Sequence, residues 1–148
     1  MRANHALIAA DLGFRAFAER NPPRYARYAE ARLDRPAGVT AVVRATLSFS
    51  RRHWDWLLSR PSLAADVWEQ LRFQVSRHSD CLPPRDADVA ALYGGLPMTS
   101  ADSVLLCRRL GLGVAEAAEL MGVDSPAVEA GLGAARRALP HLAEGRRP

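Results

Sequence analysis

The chain has 148 residues, 49% of them hydrophobic and 24% charged, with a formal net charge of +4. That is enough apolar surface for one domain of ordinary size or two small helical lobes, and no run approaches the roughly 20 continuous apolar residues of a membrane span. Two cysteines with no Cys-x-x-Cys spacing and four scattered histidines argue against a disulfide framework or a zinc site and for free thiols in a reducing cytoplasm.

From Ala6 to Glu19, the residues Leu7, Ala10, Phe14, Phe17 and Ala18 recur at three- and four-residue intervals and predict an amphipathic helix. Asp11 and Arg15 interrupt its apolar character, so the segment does not read as a signal peptide. Asn21-Pro22-Pro23 breaks that helix and starts the next, which carries Tyr25, Tyr28, Ala29 and Leu33 on one face and Arg24, Arg27, Glu30 and Arg32 on the other. Asp34 to Gly38 is a turn by composition.

A longer helix is expected over 39–59, with Val39, Val42, Val43, Leu47, Trp54, Leu57 and Leu58 facing inward. After Arg60-Pro61, Ser62 is positioned to cap a helix from Leu63 to His78 with a stripe of Val67, Leu71 and Val75. Within the third helix, Arg51-Arg52-His53-Trp54-Asp55-Trp56 mixes cations and aromatics. Arg51, Arg52, Trp54 and Trp56 are therefore candidates for contact with single-stranded nucleic acid or a protein partner, against the plainer reading that Trp54 is core and the rest a solvated face.

Ser79 to Asp88 has the Pro and Asp content of a linker. It suggests a division into a domain at 1–80, a linker at 81–88, a second domain at 89–142 and a frayed tail at 143–148. Charge divides with it: thirteen Arg against eight acids leave +5 on residues 1–80, whereas seven Arg against eight acids leave −1 on 81–148. In the second part, helices are expected at 89–93 and 99–110, the latter capped by Thr99 or Ser100.

Gly111 to Leu139 reads as two helices joined by a tight turn. Val114, Ala117, Ala118 and Met121 share one face, and Gly122 offers the left-handed residue that ends such a helix. Ser125 is placed to cap the second helix with Pro126 at its first position, and Val128, Leu132 and Ala135 continue the inward stripe. This is the pattern of a helix-turn-helix.

The same stretch, in register from Leu96-Pro97 through Val104-Leu105-Leu106, Gly111-Leu112, Val114-Ala115-Glu116, Ala118-Glu119-Leu120, Gly122-Val123, Ser125-Pro126 and Val128 to Ala135-Arg136-Arg137-Ala138-Leu139, resembles the last conserved region of the extracytoplasmic-function (ECF) sigma factors of bacterial RNA polymerase. More weakly, Phe14-x-x-Phe17, Arg24-Tyr25-x-x-Tyr28-Ala29 and Leu33-Asp34 resemble that family's second conserved region, which binds polymerase and the minus-ten element. The resemblance implies an all-α fold of two small lobes: a sigma region-two-like bundle and a sigma region-four-like helix-turn-helix lobe. It also implies contact with RNA polymerase and promoter DNA, with Ser125, Ala127, Val128, Arg136 and Arg137 at the DNA.

The departures from the family pattern concern charge. Where the family grips the promoter with basic and polar residues, this chain has Glu129, Ala130, Gly131, Gly133 and Ala134. Residues 111 to 133 contain four acids and no Lys, Arg or His. Where the family carries an acidic cluster for docking on polymerase, Gly38 to Ala45 holds only Arg44 as a charged residue. DNA affinity comes largely from phosphate neutralisation, so the pattern fits a divergent sigma-like regulator that acts through protein contacts with RNA polymerase or another regulator. Its partner surface would include Glu116, Glu129, Ala130, Gly131 and Gly133. The alternative is a functional ECF sigma factor that binds core polymerase and promoter DNA.

His78, Asp80 and Cys81 are adjacent in sequence, but a nucleophile and its base normally meet across a fold. No phosphate-cradling glycine loop or metal-ligand spacing is present. The reading is a cytoplasmic non-enzyme with no cofactor, no metal, no membrane contact and no small-molecule substrate.

Overall fold

The computed structural model describes residues 2–79, 84 and 86–144, with side chains from residue 8 onward. Every regular element among them is helical: α1 (Arg2–Arg20), α2 (Pro22–Arg32), α3 (Pro36–Arg52), α4 (Trp54–Leu58), α5 (Leu63–Ser79), α6 (Ala87–Gly95), α7 (Met98–Val104), α8 (Val114–Met121), α9 (Ser125–Ala138) and α10 (Pro140–Ala143). A π-helical segment, Leu105–Arg109, continues α7. No described helix is long and apolar enough to cross a membrane. The Asp80 and Cys81 of the sequence trio, half of the expected linker and the end of the tail lie outside the described residues.

The long third helix expected over 39–59 is two helices. Its backbone breaks at His53 (φ −111°, ψ 19°), whose N–H still closes on the Phe49 carbonyl at 3.0 Å. Beyond the break Trp54 faces inward as expected, and its ring meets Phe14 edge-on at 5.3 Å and Phe17 at 5.4 Å.

α5 starts as expected, with the Ser62 hydroxyl accepting from the Ala65 N–H at 3.2 Å. α6 is capped by Asp86, which accepts from the N–H groups of Asp88 and Val89 and pairs with Arg109 of the π segment. α7 begins at Met98 behind Pro97 without a side-chain cap, so neither Thr99 nor Ser100 caps it; the Thr99 carbonyl instead accepts from Ser103.

The halves of the chain share one core. Tyr25, Tyr28, Leu57, Val67, Trp68, Leu71 and Val75 from the first half are buried in the same cluster as Leu92, Val104, Leu105, Leu106, Met121 and Val128 from the second. α5 packs on α8, α2 on the π segment, and α9 lies along α7. Arg27 of α2 donates to the Leu110 carbonyl at 2.9 Å, closing one of the carbonyls left over at the end of the π segment.

Candidate functional site

α8 ends at Gly122, whose backbone is left-handed (φ 70°, ψ 31°). Its N–H reaches the Glu119 carbonyl at 3.3 Å, and the Val123 N–H reaches Ala118 at 3.0 Å. The turn then delivers Asp124, not Ser125, as the cap of α9: its carboxylate accepts from the Ala127 N–H at 2.9 Å. Asp124 has the extended backbone a cap needs, while Ser125 is already the first helical residue.

This corner is keyed into the first half of the molecule. A Cβ at Gly122 would fall 2.1 Å from the Ala65 nitrogen and 2.8 Å from the Ala64 carbonyl carbon. The Gly122 carbonyl accepts from Ser62 at 3.3 Å, so one hydroxyl serves both the start of α5 and the helix-turn-helix corner.

The residues marked as DNA contacts by the sequence do not share one surface. Val128 is fully buried in the core. Ser125 and Ala127 are half-buried, and Arg136 and Arg137 are exposed in the last turn of α9. Of the marked partner surface, Glu116, Glu129 and Ala130 are exposed and Gly133 is half-buried. Gly131 is buried on α7, where a Cβ would lie 2.8 Å from Ser103 Oγ and 3.4 Å from Ser100 Cα, so it belongs to the packing and not to the surface. The exposed face of α9 runs Pro126, Glu129, Ala130 and then Arg136 and Arg137.

The four acids of 111–133, Glu116, Glu119, Asp124 and Glu129, are all solvent-exposed. Arg20 of α1 meets Glu119 at 2.6 Å, but both side chains are more than half exposed (63% and 54%), where such a pair is worth little. Arg137 curls back so that its Nη1 lies 3.5 Å from the Cβ position at Gly133.

In the first half, Arg51, Arg52 and Trp56 are exposed, whereas Trp54 is 9% exposed and belongs to the core. The cation–aromatic strip is therefore split. Trp56, half exposed, is covered by Arg60 at 5.1 Å, a partner the sequence pattern did not single out.

Between the halves lies a buried polar hub that periodicity did not reveal. The Asp102 carboxylate, on α7, has no solvent access. It accepts from the Tyr28 hydroxyl at 2.7 Å, from the Trp68 indole N–H at 3.1 Å and from the Tyr93 hydroxyl. Arg72 Nε stands 3.0 Å away as an ion pair, angled away from a hydrogen bond. Arg32 donates to the Tyr28 hydroxyl at 3.0 Å and lies 3.8 Å above the centre of the Tyr93 ring. Burial pushes the Asp102 carboxyl above the usual carboxylate range, against the downward pull of Arg72 and the two phenols. Burial likewise raises the hydroxyls of Tyr28 and Tyr93, with the charge of Asp102 adding to both shifts.

Hub residues do not line the groove bounded by α1, α2 and α3, and among the described residues no three His, Cys, Asp or Glu side chains converge as a metal site would require. Its chemistry is structural: a carboxylate satisfied by donors from α2, α5 and α6 ties the halves together. No family model, curated protein or solved structure matches the chain.

Proposed function

We propose that this chain is a divergent, sigma-factor-like transcription regulator that works through protein contacts with RNA polymerase or another regulator and not by ordinary promoter recognition. The observation that carries the reading is the charge of the helix-turn-helix surface. Glu116, Glu119, Asp124 and Glu129 are exposed, and α9 offers no cation before Arg136. A surface that cannot neutralise phosphates forfeits the counterion-release term on which duplex affinity depends.

In this reading, residues 1–80 descend from a sigma region-two-like lobe and 89–142 from a sigma region-four-like lobe, with 81–88 between them. The shared core explains why α9 is retained without its cations. Val128, Leu132 and Ala135 are buried against the rest of the molecule, so the helix is needed for the fold whatever its outer face does. The protein is read as cytoplasmic, without cofactor or enzymatic activity.

The test is a titration of the full chain onto a fluorescently labelled promoter duplex at low salt. The expected result is no saturable binding at micromolar protein. Micromolar or tighter affinity that falls steeply with salt would sink the reading. Arg136 and Arg137, exposed at the end of α9, favour the second reading, an ECF sigma factor that still holds core polymerase and promoter DNA, and the same titration separates the two.

A further inference from the structure

A broad cavity lies far in sequence from the helix-turn-helix. It is an open groove of about 1010 Å³ bounded by α1, α2 and α3. On the α3 wall, Val39, Val43 and Leu47 follow one another every fourth residue and form an apolar stripe, faced across the groove by Phe14, Ala26 and Leu33. The wall runs from Arg35 to Arg51, which at 1.5 Å per residue is roughly 24 Å, the length of a four-turn helix.

The polar rim is uneven. α3 contains no carboxylate from Pro36 to Arg52, and Arg35, Arg44 and Arg51 line the groove with exposed side chains. Glu30 and Asp34 stand on the α2 side. The open shape decides the class of occupant. An acyl chain laid in such a furrow would leave one flank in water, whereas an amphipathic helix closes it with its own polar face.

We infer that this groove receives an amphipathic helix of a partner protein, apolar on the face that meets Val39, Val43 and Leu47 and acidic along the flank that meets Arg44 and Arg51. The inference rests on the reading of the chain as a protein-contact regulator, and it adds the place, the shape and the sign of the contact. The apolar stripe supplies the anchors, and the arginines select the partner and its orientation.

The probe is a synthetic peptide of about four turns with Leu at i, i+3, i+4 and i+7 and Glu on one flank, beside a twin carrying Lys for Glu. Both are labelled and titrated with the full chain by fluorescence anisotropy. The Glu peptide is expected to bind in the micromolar range and the Lys twin at least about tenfold more weakly. Arg44→Glu with Arg51→Glu, both at exposed positions, is expected to invert that preference while helical circular dichroism stays unchanged. Loss of structural support alone would not produce such an inversion.

Failure of both peptides to bind, or equal binding of the two, overturns the inference. So does displacement of the Glu peptide by stoichiometric dodecanoate, which would make the groove an amphiphile site, or by self-association of the chain in sedimentation, which would make a second copy its occupant. The duplex titration is independent of these outcomes: a steeply salt-dependent promoter affinity sinks the protein-contact reading, whereas peptide failure alone sinks only the assignment of this groove.

Discussion

The Tyr28 hydroxyl donates a 2.7 Å hydrogen bond to Asp102 across 74 positions of sequence, and both groups are inaccessible to solvent. That bond joins α2 to α7 and makes the two halves of the chain dependent on each other. Asp102→Ala strands the hydroxyls of Tyr28 and Tyr93, the Trp68 indole N–H and the buried Nε of Arg72. It is expected to cost about 3 to 5 kcal/mol, the range for breaking a buried charged pair by removing one partner. Tyr28→Phe, which removes one donor and keeps the ring, is expected to cost about 1 to 3 kcal/mol. Urea denaturation checks both, and a loss below about 1 kcal/mol for the alanine variant would show the hub to be dispensable.

The raised carboxyl of Asp102 has a defined pH signature. The folded protein holds that proton more tightly than the unfolded chain does. Its stabilising contribution is therefore complete below the ordinary carboxylate value of about 4 and is lost as pH rises through the higher folded value. Relative to Asp102→Asn, the wild-type protein is expected to lose stability across that window. A difference that grows with pH would contradict the burial-driven shift.

All three tyrosines of the chain, Tyr25, Tyr28 and Tyr93, have hydroxyls pushed up chiefly by burial. Their stabilising contribution is intact below the unfolded value of about 10 and disappears as pH rises toward the folded values. An alkaline titration is expected to show no tyrosinate absorbance at about pH 10 to 11, followed by its appearance together with loss of helical circular dichroism. Tyrosinate forming while the helices persist would place at least one phenol in contact with water.

Three glycines should respond to alanine with different signs. Gly122→Ala meets both a left-handed backbone, which alone costs about 1 to 2 kcal/mol, and the backbone of Ala65 at 2.1 Å, so its total loss should exceed that figure. Gly131→Ala presses on Ser103 and is expected to cost about 1 kcal/mol or more as overpacking. Gly133→Ala meets only the end of Arg137 at ordinary contact distance and should stabilise α9 by about 0.5 to 1 kcal/mol. Thermal melts of the three variants test this order, and a stabilising Gly131→Ala would show that α7 and α9 are not in close contact.

Charge restoration examines the outer face of α9. Glu129→Arg with Gly133→Arg places two cations on that face, and each new phosphate contact is expected to steepen the salt dependence of duplex binding by about 0.9 in logarithmic slope. Duplex affinity that stays unchanged at low salt would mean that the face cannot reach DNA, whatever its charge.

Legibility in the sequence followed locality. The corner at Gly122 was readable because its signals, an apolar stripe, a glycine and a Ser-Pro start, lie within a few residues of one another. Even so, the cap passed to the neighbouring Asp124, whose backbone is extended. The break at His53 was not readable, since Arg51 to Trp56 contains neither Gly nor Pro, although the inward place of Trp54, which packs on Phe14 and Phe17, was. Gly131 was misplaced on the surface because glycine carries no hydropathy to mark the buried side of a helix. The Asp102 hub was invisible for a related reason: an aspartate within a helix reads as a solvated position, and donors such as Tyr28 and Trp68 come from 74 and 34 residues away.

The seating of Gly122 on the first turn of α5 sets a limit on how this protein can be divided. A fragment cut within 81–88 would not liberate a self-sufficient reader module. It would open a cleft where Ala64 and Ala65 had been and leave Met121 and Leu120 facing water. The bearing of α9 relative to the α3 groove is thus inherited from the fold, and two molecules that grasp these separate faces are held at one fixed distance and angle by the protein between them.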